Sequence, residues 1–202
     1  MRHTLLCAVF AVSFAASCAT TTLGSDPSGD WLRPSPMLKR QIEDQIERLP
    51  WTHGVERIEQ IQWFASVGEP AYADLMRVCV DPRPDVAASA VAALGATGDS
   101  RLVEALKALD WPASDDAALA YEKARAYLRL GDWSHVDVLV AGLEEDSDWA
   151  RAWCAAALKE STRLDFGFEP AGDPAARAAS IAKWREWIVA RSREGLVADR
   201  SR

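Results

Sequence analysis

Three carboxylates recur at one offset along this chain. Asp74, Glu104 and Asp137 each stand six residues after a glycine, namely Gly68, Gly98 and Gly131. If those segments are successive stacked helices, the acids line up into one outward-facing stripe. A negative stripe attracts a basic peptide or protein segment. A plainer reading stands beside it. Arg77 and Lys107 follow the first two acids by three residues, the pairing distance on a helix, so the acids can equally decorate a solvated face. The third unit has Val140 at that place, which leaves Asp137 the least neutralised. Tryptophan is the second unusual residue, with nine copies. Trp63, Trp153 and Trp184 read as core by their spacing. Trp111, Trp133 and Trp149 fall at turns between helices, where an exposed indole makes a binding hot spot and a covered one fills space between stacked units.

Residues for bond-making chemistry are sparse. The histidines are His3, His53 and His135, and none stands in a His-Glu-x-x-His pair. No Cys-x-x-Cys or Cys-x-x-Cys-His occurs, so zincin, zinc-ribbon and c-type haem readings fail. Gly-x-Ser-x-Gly, P-loop and dinucleotide fingerprints are missing too. His135 reads as an exposed residue at a helix start. Cys79 and Cys154 sit among Val78, Val80, Ala152 and Ala155 and read as small core residues. An oxidising compartment would permit a disulfide between them, but they fall in the first and fourth repeat units, solenoid units touch only their neighbours, and the bond needs Cα atoms within roughly 7 Å. No catalytic residue, metal, cofactor or small-molecule substrate is implied.

Composition bounds the rest. The chain has 202 residues, 49% apolar and 26% charged, with 23 Lys+Arg against 30 Asp+Glu for a net charge of −7. That is globular composition for one domain, or one domain plus a tail. The acidic balance argues against a general nucleic-acid binder, which needs a basic face to displace phosphate counterions. Four cysteines are too few for a disulfide scaffold.

The elements that would position the acids repeat. The three glycines lie 30 and 33 residues apart, each followed by an acid: Gly68-Glu69, Gly98-Asp99, Gly131-Asp132. Proline- or acid-rich turns alternate with them at 81–85, 110–112 and 145–148. Each unit therefore reads as helix, glycine turn, helix, second turn. In the second unit Val86, Ala90, Val91 and Leu94 share one helical face, and Leu102, Val103, Leu106 and Leu109 share the partner's. The third unit offers Leu119, Tyr127 and Leu130, then Val136, Leu139, Val140 and Leu143. Pro84 suits a first helical turn and Gly98 a helix end. Alanines at 87, 88, 90, 92 and 93 permit close helix approach. No segment alternates like a strand.

The run from Asp85 to Asp99 (DVAASAVAALGATGD) resembles the HEAT-repeat family, including its bacterial HEAT-like members. It has that pattern's Asp-Val opening, its Ala-x-x-Ala-Leu-Gly core and its Gly-Asp turn. The third unit keeps Ala126-Tyr127-Leu128 and Gly131-Asp132 but has Arg129 after the leucine. The fourth begins at Asp148-Trp149-Ala150 and loses the Gly-Asp turn, and the first, from about Val55, is the most degenerate. The resemblance covers roughly 54–160. It implies an all-α fold, an α-solenoid of about four helical hairpins with capping helices at both ends. Leu38, Ile42, Ile46 and Leu49 supply the entry cap. Asp173-Pro174 opens the final one, with Ile181, Trp184 and Ile188 on one face and Trp187 alongside.

The N-terminus reads as an address. Arg2 precedes an apolar run from Leu5 to Ala16, the size of a signal-peptide core and too short to span a bilayer. Ala15-Ala16-Ser17-Cys18 resembles a bacterial lipobox with Ala15 in place of the usual leucine, which implies lipid on Cys18. Cleavage near Ala16 or Ala19 without lipid is the alternative. The expected organisation is a signal peptide at 1–17, a Thr/Ser/Gly/Pro-rich tether at 18–36 and a helical domain at 37–202. The function expected is a non-catalytic protein–protein interaction scaffold of the cell envelope, lipid-anchored and facing the periplasm, with protein partners and no nucleic acid. A secreted or soluble periplasmic protein is the alternative location. The alternative functions are an envelope stability factor without a specific partner, or, by resemblance to the HEAT-like phycobilin lyases, a lyase.

Overall fold

A computed structural model describes residues 31–199, with side chains to residue 192. The expected signal peptide, Cys18 and the tether as far as residue 30 lie outside the described residues. Among the described residues the fold is all-α, without strands. Nine α-helices run in order: α1 (Pro36–Arg48), α2 (Gly54–Val67), α3 (Tyr72–Cys79), α4 (Pro84–Ala96), α5 (Leu102–Lys107), α6 (Ala117–Arg129), α7 (Val136–Ala141), α8 (Asp148–Thr162) and α9 (Pro174–Asp199).

The helix starts have local causes. Ser35 Oγ accepts the Leu38 N–H at 3.3 Å and Pro36 fills the first turn of α1. Asp116 accepts the Leu119 N–H at 2.7 Å at the head of α6, and Ser147 caps α8. Asp173 accepts the N–H groups of Ala175 and Ala176 at 2.9 and 3.1 Å at the head of α9. Each such side chain satisfies a donor that the helix cannot satisfy itself.

The turns repeat as backbone geometry. Gly68, Gly98 and Gly131 have φ of 69°, 68° and 91°, and they separate α2 from α3, α4 from α5, and α6 from α7. Positive φ is where glycine escapes the Cβ clash that other residues meet. The fourth unit has no glycine there, yet it makes the same excursion. Arg163, 32 residues after Gly131, ends α8 at φ 64°, ψ 13°. Asp165 then gathers the loop, accepting the Gly167 N–H at 3.0 Å and the Lys159 ammonium at 2.9 Å.

Helices pack mainly against near neighbours in the chain. α4 lies against α2, α3 and α6; α6 lies against α4, α7 and α8; α9 touches α7. α4 and α6 approach closely at Gly95, where a Cβ would fall 2.7 Å from both Cα and Cβ of Ala126 on α6. The buried apolar residues form two clusters. One joins Ile42 and Leu49 through Leu75, Leu94 and Leu106 to Ala126, Tyr127 and Leu130. The other joins Tyr121, Ala124 and Leu128 through Leu139, Leu143 and Leu158 to Ile181 and Trp184. α6 supplies both, so it is the common wall. Cys79 and Cys154 are buried free thiols, one in each cluster. Burial pushes the Cys154 thiol up to about 12 and Cys79 higher still, so neither is a ready thiolate.

Candidate interaction surface

The three acids of the expected stripe do not share one environment. Asp137, on the first turn of α7, and Glu104, on α5, are exposed. Asp74 is not: it is 3% exposed, which corrects the outward orientation expected for it. The cause is the entry helix. α1 packs against α3, and its Lys39 ammonium pairs with the Asp74 carboxylate, which Arg77 also reaches from one turn away on α3. Glu104 is paired to Lys107 at 3.2 Å, the same ammonium that reaches Asp132 at 2.8 Å. Of the three, Asp137 alone is both exposed and without an ion pair among the described residues.

The three turn tryptophans also divide. Trp149 is 69% exposed. Trp111 is half-buried; its indole N–H donates to the Leu106 carbonyl at 3.0 Å and the Lys123 ammonium lies 3.9 Å from the ring centre. Trp133 is half-buried against Trp187, ring centres 5.6 Å apart, with the Arg191 guanidinium 4.5 Å above it. Among the core candidates, Trp184 is 1% exposed, while Trp63 and Trp153 are half-buried and Phe64, beside Trp63, takes the deep position. Trp51 was not singled out by spacing and is the most exposed tryptophan described, at 80%. It ends a short 3₁₀ turn ahead of α2, with Val55 and Ile58 exposed on the first turns of that helix.

Four of the nine indoles each hold a cation from another element. Arg101 lies 5.5 Å from the Trp31 ring centre, Lys123 3.9 Å from Trp111, Arg125 5.3 Å from Trp153 and Arg191 4.5 Å from Trp133. Ion pairs reinforce the same joints. Arg101 reaches back to Glu69 at 3.0 Å while gripping Asp99 beside it. These bonds from Arg101 pull both carboxyls below the usual range, against a smaller upward push from burial. Asp132 is held down at about 2: burial pushes it up, but the Lys107 ammonium and the Ser134 contacts outweigh that push. Arg125 and Arg129 on α6 converge on Glu160 of α8, at 3.0 and 2.8 Å. Arg129 is the residue that replaces the glycine of the second unit, and its reach to α8 is what that change supplies.

His53 stands ahead of α2. His135 is half-buried rather than exposed, stacked on Tyr127 with centres 4.4 Å apart, its Nδ1 2.8 Å from Ser134 Oγ. Among the described residues no group of three or more His, Cys, Asp or Glu side chains is arranged to hold a metal ion. No described helix is long and apolar enough to cross a membrane. Among the described residues, a deeply placed acid without full pairing is Glu122 of α6. It is 8% exposed, with Oε1 lacking any hydrogen-bond partner and Oε2 3.8 Å from Arg125. Burial raises its pKa, partly offset by Arg125 and Arg129. Sequence periodicity does not separate Glu122 from a solvated acid, because it reports the pattern of one helix and not what other elements lay over it.

No protein-family model matches the chain, and no curated protein matches it.

Proposed function

We propose that this chain is a non-catalytic interaction scaffold of the bacterial cell envelope, built as a HEAT-like α-solenoid and tethered by lipid on Cys18. The observation that supports the repeat reading is the positive φ recurring at Gly68, Gly98, Gly131 and Arg163, each just past the end of a helix at a nearly constant interval. Helical pairs that cannot bury their apolar faces alone stack, and the stack presents a long continuous surface. The side chains that surface offers are those named above as partner-binding candidates. Asp137 and Trp149 are the strongest of them, because neither is consumed by an internal pair. Glu104, Trp111 and Trp133 serve joints as well, and Asp74 serves the entry cap.

The address half of the reading rests on the apolar run before Cys18 and the tether behind it. Acyl chains contribute about 0.8 kcal/mol per buried methylene, so two or more on one cysteine anchor a domain without a spanning helix. Intact-mass spectrometry of the membrane-extracted protein tests both halves. A mass beginning at Cys18 with added diacylglycerol, and a stoichiometric protein partner in the same extract, are the expected results. A mature form starting elsewhere without lipid removes the anchor. A monomer that repeatedly emerges without a partner removes the scaffold.

A further inference from the structure

Trp133 and Trp187 face each other as an open V, centres 5.6 Å apart with planes inclined at 51°. Trp133 leads into α7 and Trp187 stands on α9, so the V lies at the joint between the third and last units. Both rings are half-buried, their inner edges in the second core cluster. The mouth holds the guanidinium of Arg191, 4.5 Å from one ring centre and 5.5 Å from the other.

Arg191 differs from the cations at the other indoles. Arg101 and Arg125 are ion-paired to carboxylates, and Lys123 is half-buried. Arg191 is exposed, and among the described residues its guanidinium meets the two ring faces and no carboxylate. A guanidinium is planar and weakly hydrated, and it stacks on indole faces better than an ammonium does. An exposed contact of this kind is weak enough to exchange.

We infer that the Trp133–Trp187 pair is a guanidinium-binding site for an arginine side chain of a basic partner segment, with Arg191 as its resident stand-in. Charge supports that occupant. The chain is acidic overall, at −7, and Asp137, four residues after Trp133, is exposed and unpaired. Glu186 is exposed next to Trp187, and the neighbouring Arg185 is already taken by Glu144 at 2.5 Å. An arriving arginine takes the place over the two rings that Arg191 holds and leaves its outer N–H donors for such carboxylates. This inference rests on the scaffold reading for the existence of a partner, but its test does not depend on Cys18.

The test uses the purified full chain and a capped Gly-Arg-Gly peptide, read by the indole N–H resonances, with each tryptophan assigned through its Phe variant. Saturable shifts at Trp133 and Trp187 are expected. The matching citrulline peptide, which keeps the shape and loses the charge, should leave both unmoved. Arg191→Ala removes the stand-in and should tighten the arginine peptide about two- to fivefold, the range of an exposed cation–π contact. Arg191→Gln, which keeps the helix-forming stem, is read instead if circular dichroism shows that the alanine variant loosens α9. Equal shifts from both peptides, no saturable shift in the Arg191 variant, or an affinity that the variant does not improve would each overturn the site. Failure of lipidation or of partner recovery leaves these outcomes untouched.

Discussion

Glu122 shows how a single side chain can set a pH dependence. Its Oε1 meets no donor, and its Oε2 has Arg125 only at 3.8 Å, because both arginines that could serve it converge on Glu160. Burial is the largest influence and raises the carboxyl's pKa above that of the unfolded chain. The folded state therefore binds this proton more tightly. Its stabilising contribution is complete below the unfolded carboxyl's pKa and is lost as pH rises through the elevated folded value. Glu122→Gln keeps the shape and discards the charge. Denaturant unfolding should find the variant more stable than the parent at pH 8, by about 1–3 kcal/mol, the cost of a buried group left unsatisfied. The difference should shrink toward pH 4. A variant that is less stable at pH 8 would mean that the charge is needed by Arg125.

At the scale of elements, the turns were legible and some faces were not. A glycine, an acid and a proline- or acid-rich turn recurring at about thirty residues mark where helices stop, and the backbone at Gly98 and Gly131 takes the positive φ that such glycines permit. The apolar periodicity likewise matches burial: Val86, Ala90, Val91, Leu94, Leu102 and Leu106 all lie in the first core. Asp74 escaped the pattern because its partner Lys39 belongs to the entry helix, outside the repeat. Trp133 escaped it because Trp187 and Arg191 lie more than fifty residues away. Periodicity reports which side of one helix is apolar; it does not report what a distant helix lays over the other side. The fourth turn makes the same point from the backbone. Arg163 adopts the left-handed conformation without glycine's freedom, at a cost of about 1–2 kcal/mol for an ordinary residue. Its side chain is exposed, and no ion pair holds it among the described residues. Arg163→Gly should therefore raise the unfolding free energy by about 1 kcal/mol in a denaturant titration with unchanged m-value. A loss of stability would show that the arginine stem contributes packing worth more than the strain.

For the whole molecule, the two apolar clusters decide how the chain comes apart. α6 supplies side chains to both, and its Ala126 is pressed so closely on Gly95 that no side chain fits there. The second cluster depends on Trp184, 1% exposed, with Phe166 edge-on at 4.8 Å and Trp187 at 5.9 Å. Removing so large a buried ring costs about 3–5 kcal/mol. In a molecule whose parts touch chiefly their neighbours, that loss falls first on the nearest units. Native-state hydrogen exchange on Trp184→Ala should show amide protection falling through α7, α8 and α9, while α2, α3 and α4 keep most of theirs. α6 should fall between, since half of its apolar face still meets Leu94 and Leu106. Uniform loss from α1 to α9 would mean that the close contact at Gly95 couples the halves into one cooperative unit. In that case a partner bound at the α7–α9 joint would stabilise the entry helix as strongly as the last one. Gradual loss from the C-terminal side would instead leave α1 to α4 folded while α7 to α9 open, so that a ligand at the α7–α9 joint would act on that half alone.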